Sequence, residues 1–476
     1  MFKIKSTILV YWLFLVSSIA SLNAQNWQSL GTGLDCQVYC FFEDTNQHAL
    51  YIGGTFKISG GDTIPGIAKW DGQNYYPLGC GMDWDCTTVL CPGCFPNHVL
   101  SIVKYKNELY ATGGFNRADN ITVNGIAKWD GNSWTGFGNG LRFTNGSQAN
   151  GNSLAVYDNE LYLVGCFDSI DGVPANSLAK YDGVNWSAVH NLPLIDGIDV
   201  NHFSTIAFYQ GEIYVGGIFN SAAYPNDTIQ NIIRYDGSCW KSVGGGIHKG
   251  WGVNKLEVYK NELYVAGSFI KSEGNIGNNI QKWDGINWSD MNNGMSGVNG
   301  FSCFIKDLIV YHDDLYAAGG FIYASGIPAK YIARWDGSKW CGFGSTFNDV
   351  INSLGVYNDN LFIGGGFNVI DEDSIYFVAK WTGGSYVDTC GNMTGIEPNE
   401  LQEELIAIYP NPATNTLSID GLEAYATTEV YDISGKLLLN KTLNSQTIDI
   451  SSLANGLYFI KLTTKKGSVV RKFVKE

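Results

Sequence analysis

Apolar and polar residues alternate in short runs along most of this 476-residue chain, the spacing of strands with one buried face rather than of helices. Runs such as Ser153-Leu154-Ala155-Val156-Tyr157 and Leu354-Gly355-Val356-Tyr357 lead into two-residue polar turns (Asn107-Glu108, Asn159-Glu160, Asn261-Glu262). A phrase of the form Leu-Tyr-x-x-Gly-x-Phe follows, and it occurs seven times: Leu50–Phe56, Leu109–Phe115, Leu161–Phe167, Ile213–Phe219, Leu263–Phe269, Leu315–Phe321 and Leu361–Phe367. Its phenylalanines stand 59, 52, 52, 50, 52 and 46 residues apart. Fourteen residues after each Phe (16 in the fourth copy) comes an aromatic: Trp70, Trp129, Tyr181, Tyr235, Trp283, Trp335 or Trp381. It is mostly followed by Asp-Gly, and five residues beyond it stands another aromatic: Tyr75, Trp134, Trp186, Trp240, Trp288, Trp340 or Tyr386.

Each copy reads as four short antiparallel strands, with Asp-Gly as the last turn because Asp bonds its own turn backbone and Gly takes positive φ. Four strands at a period near 50 residues describe a propeller blade, and seven copies predict seven blades. The glycines let strands approach near a crowded axis while Trp and Tyr fill the wedge between blades. Trp27 to Gly33 matches an isolated fourth strand ahead of the first copy, whereas the seventh copy has a weak fourth strand. The amino-terminal segment is therefore expected to supply the outer strand of the last blade.

The periodicity stops after Val387, and 388–404 reads as an acidic linker. From Leu405 to Glu476 alternating apolar residues predict a small antiparallel, immunoglobulin-like β-sandwich. At the other end, Lys3 and Lys5 precede the apolar run Ile8 to Val16 and a small-residue stretch ending at Ala24. This is the pattern of a signal peptide cleaved between Ala24 and Gln25. The expected organisation is signal peptide 1–24, seven-bladed β-propeller 25–387, linker 388–404 and carboxyl-terminal module 405–476, all-β throughout. No second stretch is long and apolar enough to span a membrane as a helix.

Composition narrows the function. Glycine is abundant at 58 residues and only 16% of the chain is charged, with a net charge of −15. That charge argues against nucleic acid and anionic membrane as partners. Of 11 cysteines, Cys36, Cys40, Cys80, Cys86, Cys91 and Cys94 crowd the front. In an exported chain they are disulfide candidates before they are metal or redox groups. Six histidines show no metal spacing, and no nucleophile elbow or phosphate loop occurs. No catalytic, metal or cofactor-binding residue is singled out and no cofactor is expected. The long connections Gly79–Asn97, Phe137–Asn150 and His190–Asn201 are where a ligand site would be built.

The repeat resembles the propeller repeats of bacterial surface proteins in the kelch and galactose-oxidase-like superfamily, and those of fungal cortical cell-polarity marker proteins. The carboxyl terminus resembles the type A sorting domain of the type IX secretion system of Bacteroidetes. The matching positions are Tyr409-Pro410-Asn411-Pro412, the strand and turn through Gly435 and Lys436, Gly456 and Tyr458 in the Asn-Gly-Leu-Tyr segment, and the basic last strand with Lys472. That resemblance implies passage through the outer membrane, removal of the domain, and release or surface attachment, with the secretion machinery as partner of residues 405–476. The expected function is a secreted or cell-surface, non-catalytic binding propeller for an unidentified glycan or protein. The alternative is a secreted carbohydrate-active or oxidase-type enzyme with its site at the propeller mouth.

Overall fold

The computed structural model describes residues 26–83, 98–145, 149–189, 192, 202–221, 229–297, 303–383, 407–420, 426–432, 436–443, 446–464 and 467–476. The chain forms two compact units, Met1–Gly391 and Asn392–Glu476. Among the described residues regular structure is almost entirely strand, the exception being the short 3-10 turn Lys271–Glu273.

The first unit is a propeller. Seven four-stranded antiparallel sheets succeed one another along the chain. Their inner strands are Val38–Asp44, Val99–Tyr105, Asn150–Tyr157, His202–Tyr209, Gly252–Tyr259, Phe304–Tyr311 and Ile351–Tyr357. Each inner strand lies beside that of the next sheet, and Ile351–Tyr357 lies beside Val38–Asp44, so the series is cyclic. Apolar clusters fill the wedges between neighbouring sheets. One of them joins Trp27, Phe343, Phe347 and Phe367 between the sixth and seventh. Every phenylalanine that ends the repeated phrase is almost completely buried.

The cycle is closed by the amino terminus. Trp27–Ser29 pairs antiparallel with Val378–Trp381, in the register Trp27↔Trp381, Gln28↔Lys380 and Ser29↔Ala379. In six sheets the two repeated aromatics face each other across the Asp-Gly hairpin at 4.7–5.3 Å between ring centroids. In the seventh the partner of Trp381 is Trp27 at 4.8 Å, in keeping with the expected amino-terminal outer strand. Tyr386 itself lies outside the described residues. Asp71, Asp130, Asp182, Asp236, Asp284 and Asp336 each accept two backbone N–H groups of their own turn. The fourth sheet's wider spacing is a longer hairpin: Glu212–Ser221 and Ile229–Tyr235 continue pairing out to Ser221↔Ile229.

The repeated glycine has one steric cause in all seven sheets. Each inner strand carries a β-bulge, a single extra residue that breaks the register with its neighbour: Tyr39, Leu100, Asn152, Ser204, Asn254, Lys306 or Asn352. A Cβ on Gly54, Gly113, Gly165, Gly217, Gly267, Gly319 or Gly365 would collide with the carbonyl oxygen two residues before that bulge. Gly217→Ala, whose Cβ would meet the His202 carbonyl, is expected to destabilise the propeller by about 1–3 kcal/mol, the range for overpacking a filled site. Chemical denaturation of the variant checks this.

The second unit packs two sheets about one core. The three-stranded sheet is Ala407–Tyr409, Thr416–Asp420 and Thr447–Asp449. The four-stranded sheet has the order Leu437–Leu443, Ala426–Asp432, Gly456–Thr464, Gly467–Lys475. Leu417, Ile419, Val430, Ile448, Ile460, Leu462 and Phe473 form its centre, with inner and outer residues alternating as a sandwich requires.

Candidate functional site: the axial channel

The bulges decide what faces the axis. A bulge re-aims the side chains around it, so the bulged residues and those that follow line a cavity of about 430 Å³ bounded by all seven inner strands. The residues next after the bulge, one per sheet, are Cys40, Ser101, Ser153, Thr205, Lys255, Asp307 and Ser353.

Much of this polar lining holds the sheets to one another. Cys40 Sγ donates to the Val99 carbonyl at 3.7 Å. Ser101 Oγ accepts from the Leu154 amide at 3.0 Å, and Asn152 Nδ2 donates to the Phe203 carbonyl at 2.7 Å. Thr205 Oγ1 accepts from the Leu256 amide at 3.2 Å. Asn254 Nδ2 donates to the Ile305 carbonyl at 2.8 Å, Asp307 Oδ2 accepts from the Leu354 amide at 2.8 Å, and Asn352 Nδ2 reaches Gln37 Oε1 at 3.3 Å. One such bond crosses every one of the seven junctions. At the far end of the inner strands Tyr105, Tyr209, Tyr259, Tyr311 and Tyr357 each donate to a turn carbonyl of the following sheet.

The charges in the channel are concentrated on the fifth and sixth sheets. Lys255 Nζ pairs with Asp307 Oδ1 at 2.7 Å. Asp307 also accepts from the Leu308 amide at 2.9 Å and from Ser353 Oγ at 3.2 Å. Burial works against the Lys255 ammonium, but Asp307 and Glu257 beside it outweigh that and raise its pKa. Glu257, two residues on along the same strand, is pushed up to about 7, first by burial and then by Asp307. Burial lowers the pKa of Lys306, whose Nζ lies 5.5 Å from the centre of the Phe304 ring.

Glu257 gives a signed pH dependence. Between its ordinary carboxyl range and about 7 the folded chain holds a proton that the unfolded chain has released, so stability falls as pH rises through that window. This contribution is intact at lower pH and gone above it. Glu257→Gln is expected to flatten the decline in melting temperature between pH 5 and pH 8, as calorimetry of both proteins at the two pH values would show.

The cysteine expectation needs correction. Cys40 and Cys80 carry free thiols, Cys40 buried at the channel wall and Cys80 exposed. The Cys40 sulfur is packed between Gly53 of its own sheet and Val99 of the neighbouring one, with no second sulfur bonded to it. Cys36 is disulfide-bonded, as is Cys341, whereas Cys86, Cys91 and Cys94 lie outside the described residues, as do Ala24 and Gln25. Burial raises the thiols of Cys40, Cys166 and Cys303, the second to about 11 and the third to about 12, the reverse of what a nucleophilic cysteine requires. Cys166 Sγ lies 3.4 Å from His202 Nδ1. His312 pairs with Asp359 at 2.8 Å, and His248 bonds Gln230 at 2.6 Å. Among the described residues no three His, Cys, Asp or Glu side chains converge as metal ligands do.

In the carboxyl-terminal unit the motif residues have structural work. Asn411 clamps the last strand, donating to the Lys472 carbonyl at 3.2 Å and accepting from the Val474 amide at 2.9 Å. Tyr458 is buried in the core and donates to the Ala454 carbonyl at 2.8 Å. Gly456 opens the strand that carries it. Tyr409, Pro410, Pro412, Lys436 and Lys472 are exposed, and Gly435 lies outside the described residues.

Known proteins share parts of this chain. Similarity to beta-agarase D of Zobellia galactanivorans runs over 75 residues at 36% identity, 16% of this chain and 16% of the agarase. PorZ of Porphyromonas gingivalis, described as an essential bacterial surface component of the type-IX secretion system, superposes with a TM-score of 0.37 at 12% identity, covering 90% of this chain and 69% of PorZ. The Niastella koreensis GH74 enzyme superposes with a TM-score of 0.36 at 11% identity, covering 94% and 80%. Residues 407–476 match the secretion system C-terminal sorting domain, and the chain therefore ends in a tail that indicates export by the type IX system.

Proposed function

We propose that the chain is an exported, non-catalytic binding propeller that offers its axial mouth to a glycan or a protein. In this reading the seven sheets are seven kelch-like blades, the signal peptide is cleaved between Ala24 and Gln25, and residues 405–476 engage the type IX machinery before the mature protein is released or held at the cell surface. The observation that carries it is the use of the channel's side chains. Most of the polar groups at the axis tie one sheet to the next, and Asp307 is held by four donors at once. What faces the cavity beyond this includes asparagine amide oxygens, the Lys306 ammonium group and the Glu257 carboxyl, a recognition surface.

A glycan and extracellular-matrix array on the exported chain, with bound material analysed by mass spectrometry, tests this reading. Binding without product supports it; turnover that Glu257→Gln abolishes overturns it. One observation favours that second reading, an exported carbohydrate-active enzyme. Glu257, with a carboxyl at about 7, shares the channel with the Asp307 carboxylate, and two carboxyls in unlike environments are what glycoside hydrolysis uses.

The sorting tail presents an outward apolar stripe in which Leu457 and Phe459 alternate with buried Tyr458 and Ile460, and Leu437 is exposed nearby. Replacing Leu457 and Phe459 by Lys is expected to cut the secreted fraction severalfold while leaving the fold intact, as fractionation of cells and medium would show.

A further inference from the structure

We propose that the axial channel holds a uronic acid, a carboxylated and polyhydroxylated sugar unit, with Lys306 as its cation and Asn254 and Asn352 as flanking acceptors. The inference deepens the binding reading and rests on it. Asn254, Lys306 and Asn352 are the bulged residues of three successive sheets, the fifth, sixth and seventh, and all three line the cavity. The two asparagine amide nitrogens are committed to neighbouring carbonyl groups or to Gln37. That fixes each amide and leaves its oxygen free to accept from a ligand hydroxyl.

Lys306 differs from the other charges here. Lys255 is neutralised by Asp307, whereas Lys306 has no carboxylate within ion-pair distance among the described residues. It rests over Phe304 instead. Lys306 is exposed to the cavity, the surrounding protein lowers its pKa, and a ligand carboxylate would give this ammonium group the charged partner that Asp307 gives Lys255. Glu257 is the other carboxyl on the cavity wall besides Asp307. Its protonation at and below about 7 leaves the channel with an excess of positive charge in that range. The volume of about 430 Å³ lies in the range of small-ligand sites and suits one or two sugar units.

Isothermal titration calorimetry of the full exported chain with galacturonate, trigalacturonate, galactose and acetate tests the assignment. Galacturonate or trigalacturonate is expected to bind at least tenfold tighter than galactose and acetate, with affinity falling between pH 6 and pH 8. Lys306→Met should abolish that binding at an unchanged melting temperature, Lys306→Arg should retain it, and Asn254→Asp should weaken it. Tighter binding of the trimer points to a polysaccharide source and tighter binding of the monomer to a free sugar acid; both support the proposal. Equal binding of galactose, or retention of affinity by Lys306→Met, overturns it. If the array finds another ligand and no uronate binds, the binding reading stands and this inference falls. If no ligand of any class binds, both fall.

Discussion

Removing the first strand should cost the propeller more than any single core substitution elsewhere in the seventh sheet. Trp27 is 1% exposed, packs against Phe343, Phe347 and Trp381, and donates from Nε1 to Ser345 Oγ at 3.1 Å. Trp27→Ala removes that area and leaves a cavity, a loss of about 3–5 kcal/mol. Spread over a cooperative unit of roughly 360 residues, this corresponds to a fall in melting temperature of about 4–7 °C. Deleting 25–32 takes away the strand pairing as well and exposes the edge of Val378–Trp381, so the fall should be larger and accompanied by aggregation. Scanning calorimetry of the three proteins measures this directly. Equal melting temperatures would mean that the amino-terminal strand is an appendage and not the closure of the cycle.

The second large effect is expected at Asp307. Its carboxylate neutralises Lys255 and satisfies the Leu354 amide and the Ser353 hydroxyl across the sixth and seventh sheets. Asp307→Ala leaves an unpaired ammonium and an unsatisfied amide at the axis. Breaking a fully buried pair costs about 3–5 kcal/mol, and the side-chain exposure of 33% at Lys255 reduces the expected loss to about 2–4 kcal/mol. Lys255→Met with Asp307→Leu together should recover part of that stability, because an apolar pair leaves no uncompensated charge. A double-mutant cycle by denaturant unfolding checks both statements.

The repeat was readable because its chemistry is local. The Asp-Gly hairpin, the facing aromatics and the buried phenylalanine recur at fixed offsets, so each copy vouches for the others. Closure by Trp27–Ser29 was readable for the same reason, as a fourth strand lying ahead of its own first three. Trp27 opposite Trp381 follows from that closure, although the two residues stand more than 350 positions apart and only the repeat pattern links them.

The axial site was much less visible. A bulge adds one residue to a strand without altering the alternation enough to be noticed, yet it determines that Lys306 and Asn352 line the channel. Lys255 and Asp307 belong to different sheets, and their pairing follows only once the inner strands are set side by side. One signal was present: where the equivalent positions hold Ser, Thr or Cys in five sheets, the fifth and sixth hold Lys255 and Asp307. A charged residue at a position otherwise small and weakly polar marks the place where a repeat departs from pure architecture. The free thiol of Cys40 was obscured in the same way, because counting cysteines in an exported chain says nothing of which sulfur the fold packs against a neighbouring strand.

Hydrogen-exchange mass spectrometry of the exported chain, with and without the ligand that binds most tightly on the array, tests the axial site most directly. Slowed exchange in the inner strands around Asn152, Asn254, Lys306 and Asn352, with the outer strands unchanged, is the predicted result. Protection confined to the outer strands or to the Asp-Gly turns would place recognition on the rim and contradict the account.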